Sequence, residues 1–262
     1  MAGDKKQYTL GRGELMFAQF RAGTLNPRGE LYMGNSPAFG ITATTESLDH
    51  YSSDGGIRVK DDSIILQQDY AGSLTTDNID PDNLAYFFLG EKRTIVTAST
   101  PVASYILAQV EKGRWYQLGT DATNPSGVRN VSAVTLTATG GGAAFIAGVD
   151  YLLDLVNGRV YIQPAGGIGE GTSPVAAYTI DASSRDQVIS KGNVVEGALR
   201  YIAKNPAGLQ TSFYMPQVKL TPNGDFALKS DSWQELGFNI EIITKGSLSA
   251  IYADGAPYTP TA

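Results

Sequence analysis

The sequence predicts a mainly β protein with one short helix and a small inserted β domain. Two segments, Phe39–Glu46 and Ile64–Thr76, alternate apolar and polar residues with a period of two, which is typical of strands with one buried and one exposed face. Glycine is abundant, at 30 residues, and only 18% of residues are charged, against about a quarter in most soluble domains. Low charge with many small and β-branched residues favours large sheets whose surfaces are covered by other copies of the chain.

The two alternating strands are predicted to pair, with their polar side chains on one shared face. That face carries carboxylates and no lysine or arginine, and its residues are Thr42, Thr44, Glu46, Gln67, Asp69 and Thr75. The segment between the strands, Ser47–Asp62, is polar and has a turn signal at Asp54–Gly56. Connections of this length are usually functional or disordered, so we expect an extended arm here.

One helix is predicted directly after the second strand. Asp80 is a good N-cap, Pro81 suits the first helical position, and Asp82 favours the positive end of the helix dipole. The run Asn83–Leu89 follows, and Gly90 can end it. The helix is expected to pack on a sheet through one apolar stripe, which consists of Leu84, Phe87 and Phe88.

The middle of the chain is predicted to be an insertion. The segment Gly119–Gly127 resembles a linker, and a β-rich module follows it, so we place the inserted domain at residues 119–182 and the main domain at 1–118 and 183–262. Within the module, Asn157-Gly158 predicts a type I′ hairpin. Further strands are predicted at Gly197–Ala203, Thr211–Leu220, Asp225–Lys229 and Glu235–Thr244.

Composition excludes several classes of function. The chain has no cysteine, which removes disulfides, zinc–thiolate sites and thiol catalysis. Neither a secretory h-region nor a run of about 18 apolar residues is present, so we expect a soluble protein made in a cytoplasm, with no membrane insertion. The net charge of −6 argues against tight nucleic-acid binding, which requires clustered Lys and Arg. It does not exclude a conduit along which DNA slides.

The sequence offers no catalytic, cofactor-binding or metal-binding residues, and we expect the protein not to be an enzyme. His50 is the only histidine and is interpreted as a surface or interface residue. The neighbours Asp61 and Asp62 would point to opposite faces of a strand, which favours a hairpin base or a β-bulge over paired acid–base catalysis. The acidic run Asp77–Asp82 lacks the glycine and glutamate of a calcium loop.

Several stretches together resemble the major tail tube protein of long-tailed bacteriophages of the siphophage type. They cover most of the chain outside the middle module, and none of them is a compact motif with a near-unique spacing. The stretches are GRGELMFAQF, GITATTESLDHYSSDGGIRVKDD with IILQQDYAGSLTTDNI, DPDNLAYFFLG, and LRYIAKNPAGLQTSFYMPQVKLTPNGDFALKSDSWQELGFNIEI.

The resemblance implies a β-sandwich core with one helix, and subunits that join edge to edge in sixfold rings around a continuous inner barrel. The rings would stack into the tail tube of the virion, which conducts genomic DNA during ejection and houses the tape measure protein. Tail terminator and distal tail or baseplate proteins would be further partners. Long hairpins would contact the next ring, and here that inter-ring arm comprises Leu48, Asp49, His50, Tyr51, Ser52, Ser53, Asp54, Gly55, Gly56 and Ile57.

Two sets of alternatives stay open at this point. We assign the shared polar face, which carries Thr42, Thr44, Glu46, Gln67, Asp69 and Thr75, to the lumen through which DNA would pass. It could instead be the solvent face of an ordinary antiparallel sheet. The protein could also be another virion or injection-machine part, such as a connector, a decoration protein or a secretion-system tube. A carbohydrate-binding β protein is a further alternative, since Trp115, Trp233 and the 14 tyrosines could form sugar platforms.

Overall fold

A computed structural model describes residues 8–257 and confirms the mainly β prediction, with 51% strand, 3% helix and one short helix, α1 (Pro81–Phe87). The chain divides into two compact units. Unit 1 comprises Met1–Arg93 and Val188–Ala262, and unit 2 comprises Thr94–Gln187. The strands are β1 (Gly13–Gln19), β2 (Leu31–Tyr32), β3 (Ala38–Ser52), β4 (Val59–Thr76), β5 (Gly90–Thr97), β6 (Thr100–Ile106), β7 (Trp115–Gln117), β8 (Val131–Thr137), β9 (Tyr151–Asp154), β10 (Arg159–Ile162), β11 (Val175–Ile180), β12 (Ser183–Ser190), β13 (Val195–Ala203), β14 (Thr211–Asn223), β15 (Leu236–Ile242) and β16 (Tyr252–Gly255).

Unit 1 is built on one eight-stranded antiparallel sheet in the order β2-β1-β13-β14-β15-β4-β3, with β16 also paired to β14. The sheet is open, and none of the sheets formed by residues 8–257 closes into a barrel. Cross-strand partners carry one apolar face from strand to strand, as in Phe17↔Leu199 and Phe238↔Leu74. This face forms the core of unit 1, and its largest fully buried side chains include Leu15, Phe17, Met33, Leu74, Leu199, Met215 and Phe238.

Helix α1 covers this core and begins as the sequence predicts. The Asp80 carboxylate accepts hydrogen bonds from the backbone N–H groups of Asp82 and Asn83, and Pro81 is the first helical residue. The predicted stripe is only partly right. Phe87 is buried, but Phe88 is 44% exposed because the helix ends at Phe87, and Tyr86 contacts the sheet in its place.

In unit 1, one segment predicted as a connection is mostly strand, and one segment predicted as a strand is a loop. The polar connection Ser47–Asp62 consists largely of strand, and only residues 53–58 connect β3 to β4. Conversely, Asp225–Lys229 is a loop, where Phe226 packs against Phe87 at a ring-centroid distance of 6.1 Å. In both places cross-strand or ring contacts decide the backbone conformation, and local composition does not.

Unit 2 contains two three-stranded sheets, β7-β10-β9 and β6-β11-β8, around a core of its own. It begins at Thr94 and not at the predicted Gly119, because β6 pairs with β11, and Leu107, Val110 and Leu118 belong to the core. It ends at Gln187, a little beyond the predicted boundary. The hairpin at Asn157-Gly158 is confirmed. Its turn is not type I′, because only Gly158 has a positive φ, of 64°.

Candidate assembly surfaces of unit 1

The six residues predicted to share a polar face do lie on one side of the sheet. Register pairs Thr44 with Asp69 and Glu46 with Gln67, and it places Thr42 and Thr75 opposite Ala71 and Ala38. Thr75 is half-buried and the other five are exposed. The side chains stand opposite the core face, and the Gln67 amide donates to the Asp69 carboxylate at 2.5 Å. The period-two pattern was therefore sufficient to assemble this set.

The same face continues across strands that the sequence analysis did not connect with it. One row of register partners runs Thr42, Ala71, Glu241, Lys219 and Glu196 across β3, β4, β15, β14 and β13. The next row runs Gly40, Ser73, Asn239 and Thr221. We name the face formed by these rows and the six predicted residues the acidic face. The alternation in β15, where Asn239 and Glu241 interrupt an apolar run, was the signal that could have revealed it.

The acidic face is polar, and most of its side chains are small. Carboxylates outnumber cations on it, since Glu46, Asp69, Glu196 and Glu241 stand against Lys219. Lys219 is the register partner of both Glu196 and Glu241, so its charge is flanked by two opposite charges. A negative potential therefore extends along the face.

The β3–β4 hairpin extends beyond the rest of the sheet. Strand β15 pairs with β4 only over Tyr70–Thr76, so that 43–52 and 59–69 form a two-stranded ribbon. Two residues of β4 lack a partner in β3, Leu66 and Asp61, and each marks a β-bulge. The bulge at Asp61 confirms the structural interpretation of the Asp61–Asp62 pair. Of the predicted arm, Leu48–Ser52 lies in β3 and 53–57 in the connecting loop.

The ribbon exposes a set of aliphatic side chains that no other part of its hairpin covers. All are at least 60% exposed: Leu48, Ile57, Val59, Ile64, Ile65 and Leu66. Leu48 and Ile64 are register partners on the same side as Thr44 and Glu46, and Val59 lies opposite Ser52 on that side. The acidic face thus continues onto the base of the ribbon through Glu46 and Asp69, and aliphatic side chains follow it from Leu48 and Ile64 towards the tip.

The other side of the ribbon carries a polar network. Asp49 accepts from the Lys60 ammonium at 2.5 Å and from the Ser63 hydroxyl at 2.7 Å. The hydrogen bond from Lys60, followed by that from Ser63, lowers the pKa of the Asp49 carboxyl. On the Leu48 side, where His50 also lies because side chains alternate along β3, its Nδ1 atom is 2.5 Å from Asp61. These pairs are exposed, which suits them to hold the two strands in register.

The acidic side chains of residues 8–257 do not form a metal-binding cluster. No group of three or more His, Cys, Asp or Glu side chains there could hold a metal ion. The acidic run near the helix has structural contacts: Asp77 accepts from Asn35, Asp80 caps α1, and Asp82 pairs with Lys92 at 2.8 Å.

These features define a mainly β protein. It has an open antiparallel sheet with one acidic face, an exposed ribbon and an inserted β unit. Residues 8–247 match the family described as "Protein of unknown function UCP028589", and the chain belongs to that family. No curated protein matches the chain. Within the described residues, α1 is far too short to cross a membrane, and no other helix has the length and apolarity to do so.

Proposed function

We propose that this protein is a structural subunit of a bacteriophage tail tube. Copies would join in sixfold rings, and the rings would stack into a hollow tube that conducts genomic DNA and contains the tape measure protein. The observation that carries the proposal is the continuous surface of unit 1, which is acidic and polar over the sheet and the base of the ribbon and carries exposed aliphatic side chains towards the ribbon tip. One part of this surface avoids DNA, and the other can bind protein.

The edges of the large sheet support ring formation. β3 and β2 are the terminal strands of the sheet, and β3 is 15 residues long. Long uncovered edge strands promote aggregation, and pairing with a neighbouring copy removes the edge. A head-to-tail contact of this kind closes a ring when the rotation from one copy to the next is a whole fraction of a full turn. The sixfold number comes from the resemblance to tail tube proteins.

The acidic face supports a lumen assignment. Phosphates bind protein surfaces through clustered Lys and Arg, with affinity rising with the number of contacts. The flanking of Lys219 by Glu196 and Glu241 leaves no cationic cluster on this face. Repeated around each ring and along many rings, the carboxylates would keep DNA from adhering to the wall.

The ribbon supports stacking between rings. Full burial of one Leu, Val or Ile side chain contributes about 1.5–3 kcal/mol, and Leu48, Val59 and Ile64 are each about 60% exposed. The strands are already paired within the subunit, so the entropy cost of ordering on contact is confined mainly to the connecting loop. This small entropy cost favours the ribbon as the inter-ring arm.

Tail terminator and distal tail proteins would contact the same surfaces at the two ends of the tube, and the protein would reside in the virion.

Electron microscopy and light scattering of the purified protein test the proposal. We expect rings or tubes at high concentration, or tubes once a tail-initiating complex is added. The double variant Leu48→Ser with Ile64→Ser should stay folded and monomeric and form no tubes. The exposed Val156→Ser in unit 2 serves as the matched control. A wild-type protein that stays monomeric in solution and is absent from virion tubes would refute the proposal.

A further inference from the structure

The outer face of the β7-β10-β9 sheet in unit 2 presents a row of ring and aliphatic side chains. Tyr161 is the register partner of Trp115 on one side and of Leu152 on the other. Trp115 and Leu152 are 42% and 41% exposed, whereas the alternate residues Val160 and Ile162 are fully buried in the core. The Trp115 and Tyr161 rings lie 5.3 Å apart between centroids, at an angle of 45°. We name these three residues with Arg159 the Trp115 face.

Arg159 completes this face with an oriented cation. Its guanidinium lies over the Trp115 ring, 5.0 Å from the centroid. Within residues 8–257 it makes no ion pair with Asp154, its register partner, although the charge of Arg159 contributes to lowering the pKa of that carboxyl after the hydrogen bonds from Asn157. A guanidinium stacked on an indole keeps its N–H groups available in its plane, where a carboxylate can accept two of them.

We propose that the Trp115 face binds a carboxylate-bearing polysaccharide, of the uronate class. A sugar ring has an apolar C–H side that packs against exposed aromatic rings, and its carboxylate would accept from the Arg159 guanidinium. The local charge favours an anion, because two cations, Arg159 and the Arg129 guanidinium that donates to Asn157, stand against one carboxylate, Asp154. Peptides usually add along a strand edge or lie in a groove, whereas this surface consists of side chains standing on the face of a sheet.

This inference is independent of the tube proposal, because every residue of the Trp115 face belongs to unit 2. The test uses the full chain carrying Trp233→Phe, which leaves Trp115 as the only tryptophan. Titration with oligogalacturonate should change the Trp115 emission in a saturable way. The fully methyl-esterified oligomer, which lacks the charge, should bind at least tenfold more weakly.

Substitutions at Arg159 separate specific recognition from general attraction. Arg159→Lys keeps the charge but loses the planar fork, and should weaken oligogalacturonate binding about tenfold. Arg28→Gln removes an exposed cation of unit 1 and should leave binding unchanged. Circular dichroism and the unfolding midpoint verify that each variant is folded.

Three results would overturn the assignment. Equal binding of the ester and the acid would remove the carboxylate from recognition. Equal losses in Arg159→Lys and Arg28→Gln would indicate non-specific attraction to polyanions, and tighter binding of polyglutamate would point to an acidic protein as the partner. Micrographs of Arg159→Lys keep the two proposals apart, since tubes should form normally whether or not the glycan binds.

Discussion

The hairpins β3–β4 and β9–β10 share one motif but differ in how far the rest of the chain buries their aliphatic side chains. In β9–β10, Val160 and Ile162 are fully buried, and the backbone N–H groups of Asn130 and Val131 donate to the carbonyls of Val156 and Leu155. In the β3–β4 ribbon, the aliphatic side chains are exposed, and no further strand of the described residues pairs with either outer edge over 43–52 and 59–69. An isolated two-stranded hairpin is marginal in water. The ribbon therefore depends on its ionic pairs and, in the proposed tube, on a neighbouring copy.

The largest expected difference between the hairpins comes from truncating one isoleucine in each. Ile162→Ala leaves a cavity in the core of unit 2 and should lower the free energy of unfolding by about 2–5 kcal/mol. Ile64→Ala removes an exposed side chain and should change it by less than about 0.5 kcal/mol in the monomer. Urea unfolding at a concentration below association measures both. A loss above 2 kcal/mol for Ile64→Ala would mean that the subunit's own chain packs the ribbon.

Glycine substitutions in the two turns should sharpen the contrast. Gly158 has a φ of 64°, and a Cβ atom there would lie 2.2 Å from the Val128 carbonyl oxygen. Gly158→Ala should therefore cost at least about 1–2 kcal/mol in unfolding free energy. A Cβ atom on Gly56, in the ribbon loop, meets nothing within 4 Å. Gly56→Ala should be near neutral in thermal unfolding, and equal losses at both positions would contradict this account.

The smallest expected effects concern two carboxylates and the pH dependence of stability. Backbone N–H groups of Ile146 and then Gly167 lower the pKa of Asp150 in unit 2, and Lys60 and then Ser63 lower that of Asp49 in the ribbon. A lowered pKa in the folded state stabilises the fold above the ordinary value of 3.8, and the contribution disappears as pH falls through the lowered value. In Asp150→Asn and in Asp49→Asn, the unfolding midpoint should therefore fall less steeply than in the wild type as the pH is lowered below 3.8.

The two variants should differ in their salt response. Salt screens the exposed Asp49–Lys60 pair, whereas the backbone hydrogen bonds of Asp150 are little affected. We therefore expect the effect of Asp49→Asn to shrink at high salt and that of Asp150→Asn to persist. An unchanged acid profile in Asp150→Asn would show that its carboxylate does not hold the loop.

Local signals predicted the parts of the fold that local interactions determine. Asp80 caps α1 as expected, and the alternation in Phe39–Glu46 was enough to place Thr42, Thr44 and Glu46 on one face. Prediction failed where distant residues decide. The polar composition of Ser47–Asp62 resembles a loop, but cross-strand pairs such as Asp49–Lys60 hold it as a ribbon. The boundary at Gly119 missed the pairing of β6 with β11, and the contribution of Glu241 to the acidic face depends on the pairing of β15 with β4.

The order of the strands also has a consequence for synthesis on the ribosome. The pairings of β7-β10-β9 and β6-β11-β8 are all complete once Ile180 has emerged, whereas β1 waits for β13 and β4 waits for β15. Domains generally fold as units during synthesis, and pairings between distant segments form slowly. Unit 2 should therefore be folded while the nascent unit 1 still exposes Leu15, Phe17 and Leu74. During that interval the growing chain exposes an apolar surface of the kind that chaperones bind. This surface is buried only when β15 has been added to the sheet.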